Sequence, residues 1–330
     1  MADGFGIALV ISSWKEIILV LKRYVFLQLL LIFVLYTFVV NMLWALELFS
    51  MSPIKSSINY LYSFLLATAI YVMFRTINGR TFVFWAIFFA QIIQILVMPF
   101  ATREWGFRTV LYFNNPNQLA LWSVNLLVIT EVLLSSLRVA GHYRLAMRLL
   151  PVFFVILSVS KAGLVAFAFF AIVSLIRLNR RQLLFTAAIL VGLTPFISQG
   201  LSHIKVIDNV SKRMETDNSD DDNLTGRGFD RITTEWQYLF FGAGEGSTDR
   251  FKSKYHGELH STPFTVLFCY GLLGSSLFGL ALYLVLSGGN IGSKLVLFMV
   301  LGLFTMGHMT LRIPMFWLAL FSINSYKDCA

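Results

Sequence analysis

The chain has 330 residues, 57% of them hydrophobic and only 13% charged, a balance that excludes an ordinary water-soluble domain. Its net charge of +9 raises nucleic acid as a partner, but outside residues 199–259 there are 18 Lys or Arg against 6 Asp or Glu, placed at the ends of apolar runs. That is the pattern of a membrane-orientation signal, and it argues against nucleic acid.

A spanning helix needs about 20 mostly apolar residues. Because lipid satisfies no backbone polar group and the runs are continuous rather than alternating, they predict helices and not barrel strands. The expected fold is an all-α polytopic membrane protein, a single membrane domain over 1–330. In chain order, residues 1–23 carry Lys15 and Glu16 amid apolar positions and no small-residue cleavage site, and read as an interfacial helix rather than a removed signal. About ten spans follow, at 24–44, 58–74, 81–100, 118–137, 149–160, 162–178, 182–198, 262–286, 295–311 and 313–324. The fifth and tenth are short enough to be half helices. With the N-terminus inside, the basic turns Lys22-Arg23, Arg75 to Arg80, Arg138 to Arg148, Arg177 to Arg181 and Lys294 lie on the cytoplasmic side, and residues 199–259 face outward. Cys269 falls in a span and Cys329 is penultimate, so no disulfide is expected.

The outward loop holds 11 acidic and 8 basic residues. Asp217 to Asn223 reads as a solvated segment; calcium ligation is the sharper alternative, but the run lacks the alternating ligands and turn glycine of an EF-hand. Phe229, Ile232, Trp236, Leu239, Phe240 and Phe241 then recur at roughly helical spacing and stop at Gly242-Ala243-Gly244, predicting an amphipathic helix on the membrane surface.

Nucleotide-binding loops, zinc-protease motifs, cysteine pairs and nucleophile elbows are all missing from the sequence. What stands out is a set of outward cations, Arg103, Arg108, Lys161, Arg227, Arg231 and His260, the last at the polar end of the run Thr262 to Leu286. Such cations suit a diphosphate, which guanidinium forks grip without a metal. Each has an ordinary structural explanation too: His260 as an interfacial helix cap, Lys161 as a snorkelling lysine, Arg227 as a solvated loop residue, and Arg103 as an anchor beside Trp105. Asn115-Pro116-Asn117 reads as a turn and helix start, and Gly271 and Gly274 as sites of close helix packing. Glu131 inside a span calls for a basic partner, and His308 and Arg312 share a helical face four residues apart.

Taken together, these segments resemble the O-antigen ligase and Wzy-type polysaccharide polymerase superfamily. Thr225 to Gly244 is similar to its Gly-Arg, Trp and Gly-x-Gly series, and His260-Ser261 followed by Gly271 and Gly274 to its His-Asn/Ser-x9-Gly-x-x-Gly signature. Arg108 with Phe113 to Ala120 resembles its Arg and Pro-Asn segment, and Ser160-Lys161-Ala162-Gly163 stands where Ser-Arg-Gly is usual. The likeness covers about 108–280 in the family's order. Lys161 departs from the family's Arg, Leu111 stands in place of a Gly, and the chain is shorter than most members.

The resemblance implies a GT-C-like membrane glycosyltransferase in a bacterial inner membrane, its active site facing the periplasm. It implies inverting, metal-independent transfer from a polyprenyl-pyrophosphate-linked glycan, without a cofactor. On it, His260 is the candidate base, Arg227 and Lys161 neutralise the diphosphate, and Arg108 and Arg231 assist. Glu258 orients the His260 imidazole, and Trp236 packs on lipid or sugar. Membrane lipid is a partner, with a chain-length regulator and a flippase as further candidates. Polymerisation of repeat units is the preferred activity. Ligation to an acceptor such as lipid A-core, a lipid-linked glycan transporter, and a non-catalytic assembly factor are the alternatives.

Overall fold

The computed structural model describes residues 2–101, 104–105, 108–176, 226–253, 257–287 and 308–325. Apart from the two-residue antiparallel bridge β1 (Glu104–Trp105) and β2 (Arg108–Thr109), the regular structure of these residues is helical. Among the described residues five helices are long and apolar enough to cross a membrane: α3 (Val25–Glu47), α4 (Ser52–Phe74), α5 (Ile77–Ala101), α6 (Pro116–Ser136) and α10 (Thr262–Ser287). At 1.5 Å per residue even the shortest exceeds the hydrocarbon thickness of about 30 Å. Of the α6 span 78% is buried, against 22% for α5, so α6 is central to the bundle and α5 peripheral.

The shorter helices are α7 (Gly141–Ser158), α8 (Lys161–Ile176), α9 (Arg231–Thr234) and α11 (Pro314–Ser325). The expected spans 182–198 and most of 295–311 lie outside the described residues, as does Asp217 to Asn223. The expected span 149–160 is the second half of α7, which begins earlier through the basic turn carrying Arg144 and Arg148.

The N-terminal segment corrects the expectation of one interfacial helix. It forms α1 (Ala2–Ser12) and α2 (Trp14–Arg23), bent by 67°. Only α2 is amphipathic, burying Ile17 and Val20. α1 is apolar and lays Gly6 against Tyr62 and Leu66 in the middle of α4, so it reaches the depth of the spans.

Aromatic contacts set the helix directions. Phe64 meets Trp317 and Phe321 edge-on at 5.7 and 5.6 Å, and Tyr71 meets Phe321 at 6.0 Å, so α4 and α11 run parallel. Phe33 contacts Phe278 at 5.2 Å while Asn41 Nδ2 donates to the Tyr270 hydroxyl at 3.2 Å, so α3 and α10 run antiparallel. Trp85 and Phe88 both reach Tyr143, at 5.0 and 5.6 Å, placing the starts of α5 and α7 together. Asn115 caps α6 by accepting from the Gln118 N–H at 2.9 Å, with Pro116 at the first helical position, as the sequence predicts. The Ser160 hydroxyl donates to Asn117 at 2.8 Å, bringing the starts of α6 and α8 together. Short turns reverse the chain from α3 to α4, α4 to α5, α6 to α7 and α7 to α8. The amino ends of α4, α6, α8, α10 and α11 are thereby gathered at one end of the bundle.

Glu131 has the expected basic partner: Arg148 donates to its two oxygens through Nε at 2.5 Å and Nη2 at 2.9 Å.

Candidate functional site

The site is built where α10 breaks. Gly271 has φ 65° and ψ −169°, a conformation open to glycine alone, and it interrupts the helical hydrogen bonding of the preceding turn. The freed carbonyls are taken up by the loop before the helix: the Ala243 N–H donates to Phe268 O at 2.9 Å and the Gly244 N–H to Cys269 O at 2.9 Å. The fit allows no side chain on either partner. A Cβ on Gly242, which has φ 101°, would run into the Cys269 carbonyl, and one on Gly271 into the Phe240 carbonyl. Gly271 is thus a docking position for a loop. Gly274, packed against Tyr36 of α3, is the close helix contact the sequence suggests.

The loop sits deep. Gly271 lies nine residues along α10 from Thr262, about 14 Å from the helix start. On the other flank the Tyr36 hydroxyl donates to Phe241 O at 2.9 Å and Trp44 Nε1 to Gly242 O at 3.1 Å. Irregular backbone at such depth is tolerated only where its polar groups are satisfied by protein, and here they are.

At the bottom of this loop Glu245, 4% exposed, is bound on every side. Its Oε1 accepts from the Tyr270 hydroxyl at 2.7 Å and from the Tyr60 hydroxyl, and its Oε2 from Arg312 Nη2 at 2.5 Å. Its N–H donates to Asn41 Oδ1 at 2.9 Å, and Asn41 Nδ2 donates to Ser57 Oγ at 2.8 Å. The same Arg312 Nη2 reaches Glu258 Oε1 at 3.0 Å and Ser56 Oγ at 3.1 Å. Arg312 itself is fixed by its carbonyl, which accepts from the Ser63 hydroxyl at 2.9 Å. Burial alone would lower the Arg312 pKa, but the two carboxylates, Glu245 foremost, hold it above its ordinary value, so it stays a cation.

Arg250 locks the loop from above. Its guanidinium lies 4.3 Å from the Trp44 ring centroid and 4.6 Å from that of Phe251, with Nη2 bound to the Ala243 carbonyl, and burial lowers its pKa.

The expected amphipathic helix over 229–241 is two pieces, α9 and a 3-10 turn at Trp236–Leu239, separated at Glu235. Glu235 is only 7% exposed and turns its carboxylate inward. There it accepts from the Lys252 N–H at 3.1 Å and from Gln237 Nε2 at 2.7 Å, contacts a continuous helix would not offer. Asp230 accepts from the Ser253 hydroxyl at 3.0 Å, closing the loop on itself.

Against this frame the sequence-derived site residues divide. Arg227 and His260 are neighbours: the His260 N–H donates to the Arg227 carbonyl at 3.4 Å, at the start of α10, with the imidazole exposed. Arg231 is buried, its guanidinium 5.3 Å from the Phe251 ring centroid, and it lines a cavity shared with Glu245 and Glu258. Glu258, expected to orient the His260 imidazole, pairs with Arg312 at 3.0 Å. Trp236 is 71% exposed beside exposed Phe240 and Phe241, as a lipid- or sugar-facing group requires. Lys161 opens α8 at the same end of the bundle. Arg108 enters β2 through its backbone, while its side chain, like Arg103 and the His308 side chain, lies outside the described residues.

Glu245, Arg250, Tyr60 and Tyr270 escape the sequence reading, and Arg312 enters it only as a partner for His308. One signal was available: Glu245 stands between two glycines directly after the Gly-x-Gly turn, where a carboxylate has no solvent-facing helix to belong to. No protein-family model matches this sequence, and comparison with the curated proteins finds no match.

Proposed function

We propose that the protein is a membrane glycosyltransferase that polymerises lipid-linked oligosaccharide repeat units by inverting transfer, without a metal. The reading rests on the resemblance of its motifs, and one observation carries it: Arg227 and His260, 33 residues apart, meet backbone to backbone at the start of α10. A cation for the leaving diphosphate and a base for the incoming hydroxyl thus occupy one locality. In the proposed step the acceptor oxygen bonds to the anomeric carbon, and the bond to the phosphate oxygen breaks with its electron pair leaving on the diphosphate. The hydroxyl proton passes to His260. Arg227, Lys161 and Arg108 offset the charge developing on the leaving group, with Arg231 behind them.

Purified protein in detergent with chelator, given a lipid-linked oligosaccharide, should form longer glycans. Removing one well-placed electrostatic donor costs about 100- to 1000-fold in rate, and Arg227→Ala and His260→Ala should each fall in that range. Wild-type transfer by both variants sinks the site. Chain-length analysis in a deletion strain separates the two transferase activities: single repeats retained indicates a polymerase, and loss of all attached chains a ligase.

The break in α10 favours a second reading, a lipid-linked glycan transporter, because discontinuous helices line many transport sites. Flipping by reconstituted protein with no glycosidic bond formed would establish it.

A further inference from the structure

Arg80 stands in the first turn of α5, and the residue is only 7% exposed. Val83, Phe84 and Ile87, one and two turns further on, are buried on the same face, so the Arg80 side chain heads into the bundle. Its Nε is enclosed without a hydrogen-bond partner, and among the described residues no hydrogen bond or ion pair engages its guanidinium. Nη1 and Nη2 are not enclosed and remain reachable. Other sheltered arginines are provided for: Arg312 binds two carboxylates, and Arg231 and Arg250 lie against aromatic rings.

A buried cation without a partner is unfavourable, and the first turn of a helix, itself roughly half a positive charge, is the wrong end for it. Along α5, α6 and α7 the one carboxylate is Glu131, and Arg148 occupies both of its oxygens. Arg75, Arg138 and Arg144, in the turn before α5, the turn before α7 and the first turn of α7, add only positive charge. The α7 start, held beside α5 by Tyr143 on Trp85 and Phe88, has no side-chain cap, and the space where a Cβ on Gly141 would stand is open. An anion at this place turns each of these costs into an attraction, and a guanidinium fork fits two phosphate oxygens at once.

We propose that Arg80 and the starts of α5 and α7 bind the phosphate of an anionic phospholipid in the leaflet opposite the sunken loop, the one expected to face the cytoplasm. Depth selects a lipid over a soluble anion. Arg80 stands at one end of the apolar stretch Ile77–Met98, where hydrocarbon gives way to headgroups. Trp85 and Tyr143, in edge contact at 5.0 Å just inside it, are amphipathic rings of the kind that settle at this boundary. Only 22% of the α5 span is buried, and Phe82 and Phe89 are exposed, so lipid reaches the helix from the side. Basic pockets between spans on the cytoplasmic side of a membrane hold acidic headgroups in this way. The site lies at the far end of the bundle from Arg227 and His260 and is independent of the glycosyl-transfer reading.

The test titrates full-length protein in detergent with short-chain phosphatidylglycerol, short-chain phosphatidylcholine and inorganic phosphate, and reads binding as thermal stabilisation. Wild-type protein should bind phosphatidylglycerol more tightly than phosphatidylcholine, and inorganic phosphate should not displace it. R80Q should weaken phosphatidylglycerol binding about 10- to 100-fold, the loss of one charge-assisted two-point contact. R80K, which keeps the charge without the fork, should fall between R80Q and wild type. R75Q, at an exposed cation of the same end, should weaken binding severalfold at most. Equal affinity of the wild type for the two lipids overturns the proposal, as does wild-type binding by R80Q or a loss in R75Q as large as that in R80Q. Displacement by inorganic phosphate assigns the site to a soluble anion and overturns the lipid. Should the Arg80 variants fail to fold, photoactivatable phosphatidylglycerol crosslinked to wild-type protein decides: adducts within residues 75–88 or 138–147 support the site, and adducts confined to other segments overturn it.

Discussion

Two of the arginine-carboxylate ion pairs among the described residues would look alike in a contact map and differ in what surrounds them. Arg148 and Glu131 join α6 to α7 in two-point geometry, with Arg148 44% and Glu131 14% exposed. Arg312 and Glu245 join the turn before α11 to the sunken loop, 17% and 4% exposed, and they are also bound by Tyr60, Tyr270, Glu258 and Ser56. A pair with one partner open to solvent gives up less when broken, on the order of 1 kcal/mol. A buried one leaves an uncompensated charge, at a cost of about 3–5 kcal/mol when one partner is lost. The first is replaceable, while the second determines whether the loop has a fixed shape.

The largest effect should come from Arg312→Ala, which strands the Glu245 carboxylate among two tyrosines and should cost about 3–5 kcal/mol in unfolding measured in detergent. Next stands Gly271→Ala, at about 3 kcal/mol or somewhat less, from a left-handed backbone a side chain resists and a collision with the Phe240 carbonyl. Proteolysis of the 240–246 segment should accelerate in this variant, and unchanged cleavage would mean the loop is not held by the break in α10. Tyr270→Phe removes one donor to the buried Glu245 carboxylate and should cost about 2 kcal/mol. The smallest loss belongs to Arg148→Ala, within about 1 kcal/mol. If Arg148→Ala destabilises as strongly as Arg312→Ala, burial is not what separates the pairs.

The framework was readable because apolar length is a local property. The predicted spans 24–44, 118–137 and 262–286 correspond to α3, α6 and α10 within three residues at each end. α4 begins six residues before the expected position 58. Its first turns, Ser52 to Ser57, are polar and face the Glu245 network, so hydropathy reads them as loop although Pro53, Ser56 and Ser57 are buried. The candidate site was legible only in part. Arg227, His260 and the glycines carry a motif resemblance, but three partners of Glu245, namely Asn41, Tyr60 and Arg312, lie 204, 185 and 67 residues away along the chain, and no window of sequence relates them. Helical spacing misled at Glu235 because apolar periodicity is silent on where a buried carboxylate finds its donors.

The helices α4, α6, α8, α10 and α11 all begin at the end that holds this loop. Each helix start behaves as roughly half a positive charge concentrated in its first turn. The carboxyl ends of α3, α5 and α7 lie at the same end and carry the opposite partial charge, so among the described helices five starts stand against three ends. The excess of starts biases that end toward positive potential through its peptide groups, a bias that substitution of single side chains leaves standing and that added salt weakens by screening.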